Sequence, residues 1–237
     1  MNTLQQEEKT DRGYKAKFVS FLLRSGALRF GDFTLKSGRK SPYMVNTGQF
    51  NTGPLLSRLG CFYAKAIHEK IELGILPKKP DVIYGAAYKG IPLAAAATIA
   101  FSAAFDEEIG YCFNRKESKD HGEGGLLVGM KPKPGDGILI IDDVMTAGTA
   151  LGETVATLKK EAPEARIIGC VIAVDRMERG SGRISAVAQA QYEHGFPVFS
   201  IVDIYDVLHT LKAEALAGPA EIAAVEKYLE EYRAEKP

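Results

Sequence analysis

At 237 residues the chain is long enough to bury a substantial core. With 46% hydrophobic and 25% charged residues, and 30 basic against 30 acidic side chains, it has an ordinary globular balance. It lacks the basic excess that nucleic-acid and membrane-surface binders use. The longest apolar stretch, residues 91–105, is too short and too Ala-rich for a bilayer span and predicts a buried helix. Cys61, Cys112 and Cys170 are odd in number and form no CxxC, which predicts buried, reduced thiols in a cytoplasmic protein. The first twenty residues are polar and of mixed charge, so no secretory signal is expected.

In chain order, residues 1–12 are polar and predict a loose terminus. Phe18, Phe21 and Leu22 mark a short amphipathic helix that ends near Gly26. Two strands, 28–35 and 41–46, are joined by Lys36-Ser37-Gly38-Arg39-Lys40. Three cations in a tight turn commonly form a solvated tip, and the serine and glycine between them equally suit a loop approaching an anion. Leu55, Leu59, Phe62, Ala66 and Ile67 then give one face of a helix over 54–71. A strand over 81–87 leads through Tyr88-Lys89-Gly90 into the helix at 91–105, the first strand–loop–helix unit.

A strand at 110–114 runs into RKESKDHGEGGLLVG, residues 115–129, where Arg115, Lys116, Lys119 and His121 stand among Gly122, Gly124 and Gly125. The bland reading is a solvated hairpin, because Glu117, Asp120 and Glu123 offset the cations. Glycines that permit a swing and cations that meet developing negative charge also describe a lid over a polyanion. After the strand and helix centred on 138–158 come a strand over 166–175 and a helix marked by Ile184, Val187, Ala188 and Gln191. A strand over 196–204 and a C-terminal helix marked by Ile222, Val225, Leu229 and Tyr232 complete the chain. About five strands alternating with helices predict an α/β fold with a mainly parallel sheet covered on both faces.

The stretch that organises the rest is 138–150, ILIIDDVMTAGTA: an apolar run, Asp142-Asp143 at its carboxyl end, a Thr/Gly turn, and then Leu151, Val155 and Leu158 at helical spacing. Unpaired N–H groups at the helix start and the helix dipole make such a turn an anion cup, and Gly148 lets the backbone curl around the guest. The two acids suit sugar hydroxyls or a hydrated Mg2+. Phosphate on one side and hydroxyls on the other describe a ribose 5-phosphate. A well-capped strand–helix junction is the plain alternative, but no Walker A or triple-glycine phosphate loop competes elsewhere.

DDVMTAGTA resembles the phosphoribosyl pyrophosphate (PRPP) signature of type I phosphoribosyltransferases. FTLKSGRKSPY, AYKGIPLAA and YCFNRKESKDHGEGG, in this order, resemble the orotate phosphoribosyltransferase branch over about residues 18–232. The resemblance implies the type I fold as one domain over 1–237, with a small N-terminal hood mainly from 12–50. It further implies Mg2+-assisted transfer of phosphoribose from PRPP to N1 of orotate, through an oxocarbenium-like transition state under a mobile lid. By the same resemblance, PRPP is met by Lys36, Tyr88, Lys89, Arg115, Lys116, Lys119, His121, Asp142, Asp143, Val144, Met145, Thr146, Ala147, Gly148, Thr149 and Ala150. Orotate is lined by Met44, Val45, Thr146 and Arg176, and Lys119, His121, Lys89 and Asp143 are the catalytic candidates. Mg2+ is held mainly through PRPP, with water-mediated help from Asp142 and Asp143, and the unit is a cytoplasmic homodimer whose lid reaches the neighbouring site. Family members commonly carry two aromatics where Met44-Val45 stand and a proline where Ala86 stands, so ring stacking on the base is lost here while apolar contact is kept. A transferase for another base, or a PRPP-sensing regulator without turnover, would share the DD loop.

Overall fold

The computed structural model describes residues 3–35, 38–119, 125–145, 148–179 and 182–235, and their side chains except at 3–12 and 116–119. The chain opens with α1 (Thr3–Arg24), and an antiparallel hairpin of β1 (Leu28–Thr34) and β2 (Lys40–Val45) forms a small separate sheet. A 3₁₀ turn at Thr47–Gln49 precedes α2 (Gly53–Glu72), β3 (Val82–Gly85) and α3 (Gly90–Phe105). There follow β4 (Gly110–Lys119), β5 (Gly125–Gly129), β6 (Gly137–Ile141), α4 (Thr149–Glu161) and β7 (Arg166–Asp175). The last elements are α5 (Ala186–His194), β8 (Val198–Asp203), α6 (Ile204–Ala213) and α7 (Pro219–Tyr232).

The main sheet has six strands in the order β5-β4-β3-β6-β7-β8, all parallel except the β4–β5 pair. From β3 the chain winds outward to β4 and β5, then returns to the other side of β3 as β6 and winds outward again through β7 and β8. The carboxyl ends of β3 and β6 therefore flank a topological switch point, the place where open α/β sheets leave a crevice. All of β6 is buried because its residues alternate between two covered faces. Leu139 and Ile141 pack with Phe18, Leu59, Tyr63 and Ile67 on the α1–α2–α3 side, and Ile138 and Ile140 pack with Leu151, Val155 and Ala190 on the α4–α5 side. Gly85 closes β3 where a Cβ would lie 2.0 Å from the Gly90 carbonyl oxygen, so the loop between β3 and α3 is pinned at both ends by backbone contact.

Several expectations need correction. The sheet has six strands rather than about five, because the short, glycine-bounded segment at 125–129 pairs antiparallel with β4, which itself runs on past 114 to Lys119. The first helix begins at Thr3, not after a loose run to residue 12. The strand expected over 196–204 stops at Asp203, whose carboxylate accepts from the Tyr205 and Asp206 amides and starts α6, an element the periodicity did not separate. The helix expected to be buried is covered on one side only, since Ile99 of α3 is 71% exposed. Cys61 is exposed, whereas Cys112 and Cys170 are buried. Among the described residues no helix is long and apolar enough to cross a membrane.

Candidate active site

The residues after β3 and after β6 meet across the switch point. Lys89 sits at the start of α3 and donates from Nζ to Asp143 Oδ2 at 2.8 Å. The same oxygen accepts the Thr47 hydroxyl at 2.5 Å, from the 3₁₀ turn that follows the hairpin. Three sequence-distant segments thus converge on one carboxylate.

The DD turn is held from beneath by the sheet. The Ala173 amide donates to the Asp143 carbonyl at 2.8 Å, the Asp142 amide donates to the Val171 carbonyl at 3.0 Å, and the buried Tyr63 hydroxyl donates to the Asp142 carbonyl at 2.8 Å. Each carboxylate also folds back on the next amide, Asp142 Oδ1 accepting from Asp143 N and Asp143 Oδ1 from Val144 N, both at 2.8 Å. Burial pushes the Asp142 carboxyl up to about 6, aided by the charge of Asp143 and opposed by the Asp143 amide. Burial acts in the same direction on Asp143, but the hydrogen bonds from Lys89, Thr47 and the Val144 amide outweigh it and hold that carboxyl below the ordinary value. The bond to Asp143 in turn raises the Lys89 ammonium against its partial burial. The hydrogen bonds to Asp143 thus favour its charged form, while burial favours the neutral form of its neighbour.

Beside the acids, Gly148 stands in the left-handed region at φ 72° as the residue before α4, and no side chain among the described residues caps that helix. The first amides of α4 consequently have no intrahelical acceptor and face outward with the positive end of the dipole. A cavity of about 210 Å³ lies at this junction, lined among others by Asp142, Met145, Gly148, Thr149 and Ala150. Across the crevice the Ala87–Tyr88 peptide is cis, the Ala87 amide donates to Asn114 Oδ1 at 3.1 Å, and the Tyr84 hydroxyl donates to the same oxygen at 2.9 Å. Asn114 thereby ties the loop after β3 to β4. The next residue, Arg115, carries a buried Nη1 with no hydrogen-bond partner among the described residues.

The remaining expected residues divide into three groups. Tyr88 is 64% exposed at the lip of the crevice, and Val144 continues from Asp143 to bridge Val174 of β7. Met44 and Val45 end β2, opposite Arg29 and Leu28, and leave the strand on opposite faces; Val45 packs against the main core and Met44 does not. Arg176, just after β7, lies with its guanidinium 4.2 Å from the centre of the Tyr43 ring and donates to Ser41 Oγ at 3.1 Å, so it joins the hairpin. Lys36, His121, Thr146 and Ala147, and the side chains of Lys116 and Lys119, lie outside the described residues.

Thr47, Tyr63 and Asn114 were not singled out from the sequence. An isolated Thr, Tyr or Asn carries no local signal of the partner it will meet. Of the cations in the 36–40 turn, Arg39 is engaged by Glu178 and Lys40 by Thr34 Oγ1 at 2.8 Å, so both serve internal bonds.

A family model described as phosphoribosyl transferase domain matches residues 46–188. The orotate phosphoribosyltransferase of Bifidobacterium adolescentis is 48% identical over 225 residues, covering 92% of this chain and 97% of its own. That of Pseudomonas paraeruginosa is 48% identical over 224 residues, covering 94% and 98%. The crystal structure of the Francisella tularensis orotate phosphoribosyltransferase is similar at a TM-score of 0.78 and 35% identity, covering 92% of this chain and 100% of that one. With relatives this similar along nearly their whole length, the chain belongs to the orotate phosphoribosyltransferase family.

Proposed function

We infer that this protein transfers the 5-phosphoribosyl group of PRPP to N1 of orotate, releasing pyrophosphate and forming orotidine 5′-monophosphate in pyrimidine biosynthesis. The observation that carries the chemistry is the convergence of Lys89, the Asp142–Asp143 pair and the uncapped start of α4 at one sheet edge. Thr146 to Ala150 receive the 5-phosphate on the amides of the cup, and the two acids receive the ribose hydroxyls. Lys36, Tyr88 and Lys89, with Arg115, Lys116, Lys119 and His121 of the lid, meet the pyrophosphate. The Nη1 of Arg115, which has no hydrogen-bond partner among the described residues, is a donor suited to such an anion. Met44 and Val45 at the end of β2 and Arg176 after β7 lie by the orotate, Val45 through its backbone because its side chain packs against the core, and the guanidinium matches the substrate carboxylate.

As the C1–O bond stretches, positive charge grows on the ribose and negative charge on the leaving group, so the protein needs cations at the leaving group and exclusion of water more than it needs a nucleophile. Lys89 must leave Asp143 to reach the pyrophosphate, and ribose hydroxyls arriving at the carboxylate take its place. Among the described residues no group of three or more His, Cys, Asp or Glu side chains could hold a metal ion by itself. Two adjacent carboxylates fit a Mg2+ ion held chiefly by substrate oxygens and water. When bound, Mg2+ neutralises charge on the pyrophosphate.

The chain works as one domain over 1–237 with a hood drawn mainly from 12–50, and as a homodimer. The outer face of α3 supports the dimer: Pro92, Ile99 and Ala103 are exposed on a helix without a charged residue, an apolar surface suited to a second copy. The buried thiols Cys112 and Cys170 suit the cytoplasm. The test is loss of orotate absorbance with purified protein, PRPP and Mg2+, with uracil and adenine as control bases. Loss with orotate alone among the bases is expected. Turnover of another base, or PRPP binding without turnover of any base, would overturn the assignment.

A further inference from the structure

The carboxylate of Glu178, two residues beyond Arg176, is the centre of a cluster that the reaction scheme above leaves without a role. Its Oε1 accepts Arg176 Nε at 2.9 Å, Arg176 Nη2 at 2.8 Å and the Tyr43 hydroxyl at 2.7 Å. Its Oε2 accepts the Tyr228 hydroxyl at 2.8 Å and Arg39 Nη1 at 3.3 Å. The side chains of Glu178 and Arg176 are 9% and 14% exposed, so this is a nearly dry ion pair with every Glu178 oxygen engaged. The contacts come from the hairpin, from the exit of β7 and from α7, and the hairpin and α7 are themselves linked by Arg39 stacking 4.4 Å from the centre of the Tyr232 ring.

This geometry constrains Arg176 on three sides. Glu178 takes the Nε–Nη2 edge, Ser41 takes a further Nη2 proton, and Tyr43 lies against the guanidinium face. The Nη1 donors make no hydrogen bond within the described residues. Two guanidiniums, Arg39 and Arg176, share the Glu178 carboxylate, so Glu178 alone does not neutralise both. We propose that Glu178 is a positioning residue for orotate recognition: by gripping one edge of Arg176 it aims the remaining donors at the substrate carboxylate, and Tyr43 and Tyr228 hold Glu178 in turn. The proposal rests on the reading of Arg176 as the orotate partner. Without the grip, a flexible arginine would spend binding energy on ordering itself at each encounter.

The test is steady-state kinetics of Glu178→Gln, Arg176→Met and the double variant, with melting temperature and calorimetric PRPP binding alongside. Gln keeps the shape but replaces one acceptor oxygen by a donor, which Arg176 and the tyrosines cannot all accommodate. Glu178→Gln is expected to raise the KM for orotate about tenfold to a hundredfold, with KM for PRPP and kcat within about twofold of wild type. In the Arg176→Met background it is expected to add nothing. A rise in both KM values with a fall in melting temperature, or effects of the two substitutions that simply add, would show a structural staple and overturn the proposal. An unchanged KM for orotate in Arg176→Met would instead remove the reading of Arg176, and the proposal with it. Should Glu178→Gln not fold, Tyr228→Phe decides, because it loosens Glu178 from outside the site: about a threefold rise in KM for orotate alone is expected, and no change sinks the idea.

Discussion

Asp142 and Asp143 are adjacent in sequence and opposite in electrostatic fate. Lys89 and Thr47 hold the Asp143 carboxyl below its ordinary value, while burial lifts Asp142 to about 6. If ribose hydroxyls or a hydrated Mg2+ use the Asp142 carboxylate, PRPP affinity is full above that value and falls as protons compete below it. Calorimetry from about pH 5 to 8 is expected to show PRPP binding weakening below about pH 6 in the wild type more than in Asp142→Asn. The difference between the two proteins is the readout, because the phosphate itself titrates at about 6. Asp175 offers a comparison without a cation. Burial raises it to about 6 at the end of β7, opposed by the hydrogen bond from the Met177 amide and aided by the charges of Asp203 and Glu178. Since its folded value lies above the unfolded one, its ionisation costs stability at neutral pH, and that cost vanishes as pH falls below about 4. Asp175→Asn keeps an acceptor for Met177 and should stabilise the fold at pH 7 by about 3 kcal/mol, from a rise of about two units at about 1.4 kcal/mol per unit. Chemical denaturation should show the gain shrinking towards acid, and a loss at neutral pH would refute this account.

At the scale of elements, two glycines flank the crevice for different reasons. Gly85 is excluded from bearing a Cβ by the start of α3, so Gly85→Ala forces β3 and α3 apart and is expected to cost about 3 kcal/mol of stability or prevent soluble expression. Gly148 has open space around a Cβ but a left-handed backbone, so Gly148→Ala is expected to cost only about 1–2 kcal/mol and to weaken PRPP binding more than it weakens the fold. Melting temperature against PRPP affinity for the two variants separates the roles. The β4–β5 arm carries the lid expectation. Neutralising Lys119 by Ala should lower kcat about a hundredfold, the scale of one preorganised donor, and near-normal kcat would take Lys119 out of the chemistry. The capping pair Asp203 and Asp206, which starts α6 directly from β8, was the legible sign of a helix that the apolar run to 204 concealed.

For the whole molecule, the apolar outer face of α3 is the surface to test. Ile99→Glu places a charge where Ile99 is now 71% exposed, so it should leave the monomer fold intact. If this face carries the proposed homodimer, sedimentation is expected to show the variant as a monomer, and the proposed reach of the lid into the neighbouring site predicts a fall in activity. An unchanged sedimentation coefficient would move the interface elsewhere.

Most of the parallel strands, and the turn with two acids between β6 and α4, were legible in the residues alone, because each rests on local physics: β6 is apolar throughout and buried on both faces, and Gly148 stands in the left-handed region just before α4. The order β5-β4-β3-β6-β7-β8 was not legible, because nothing local tells a strand which neighbour it will find. That order decides that Lys89 reaches Asp143 and that Thr47, 96 residues away, shares the same oxygen. It also lets Glu178 gather Tyr43 from 135 residues before it and Tyr228 from 50 residues after it. Hydrogen bonds are short-ranged and directional, so partners this distant are chosen by the packing of whole elements, and only the folded chain reveals them.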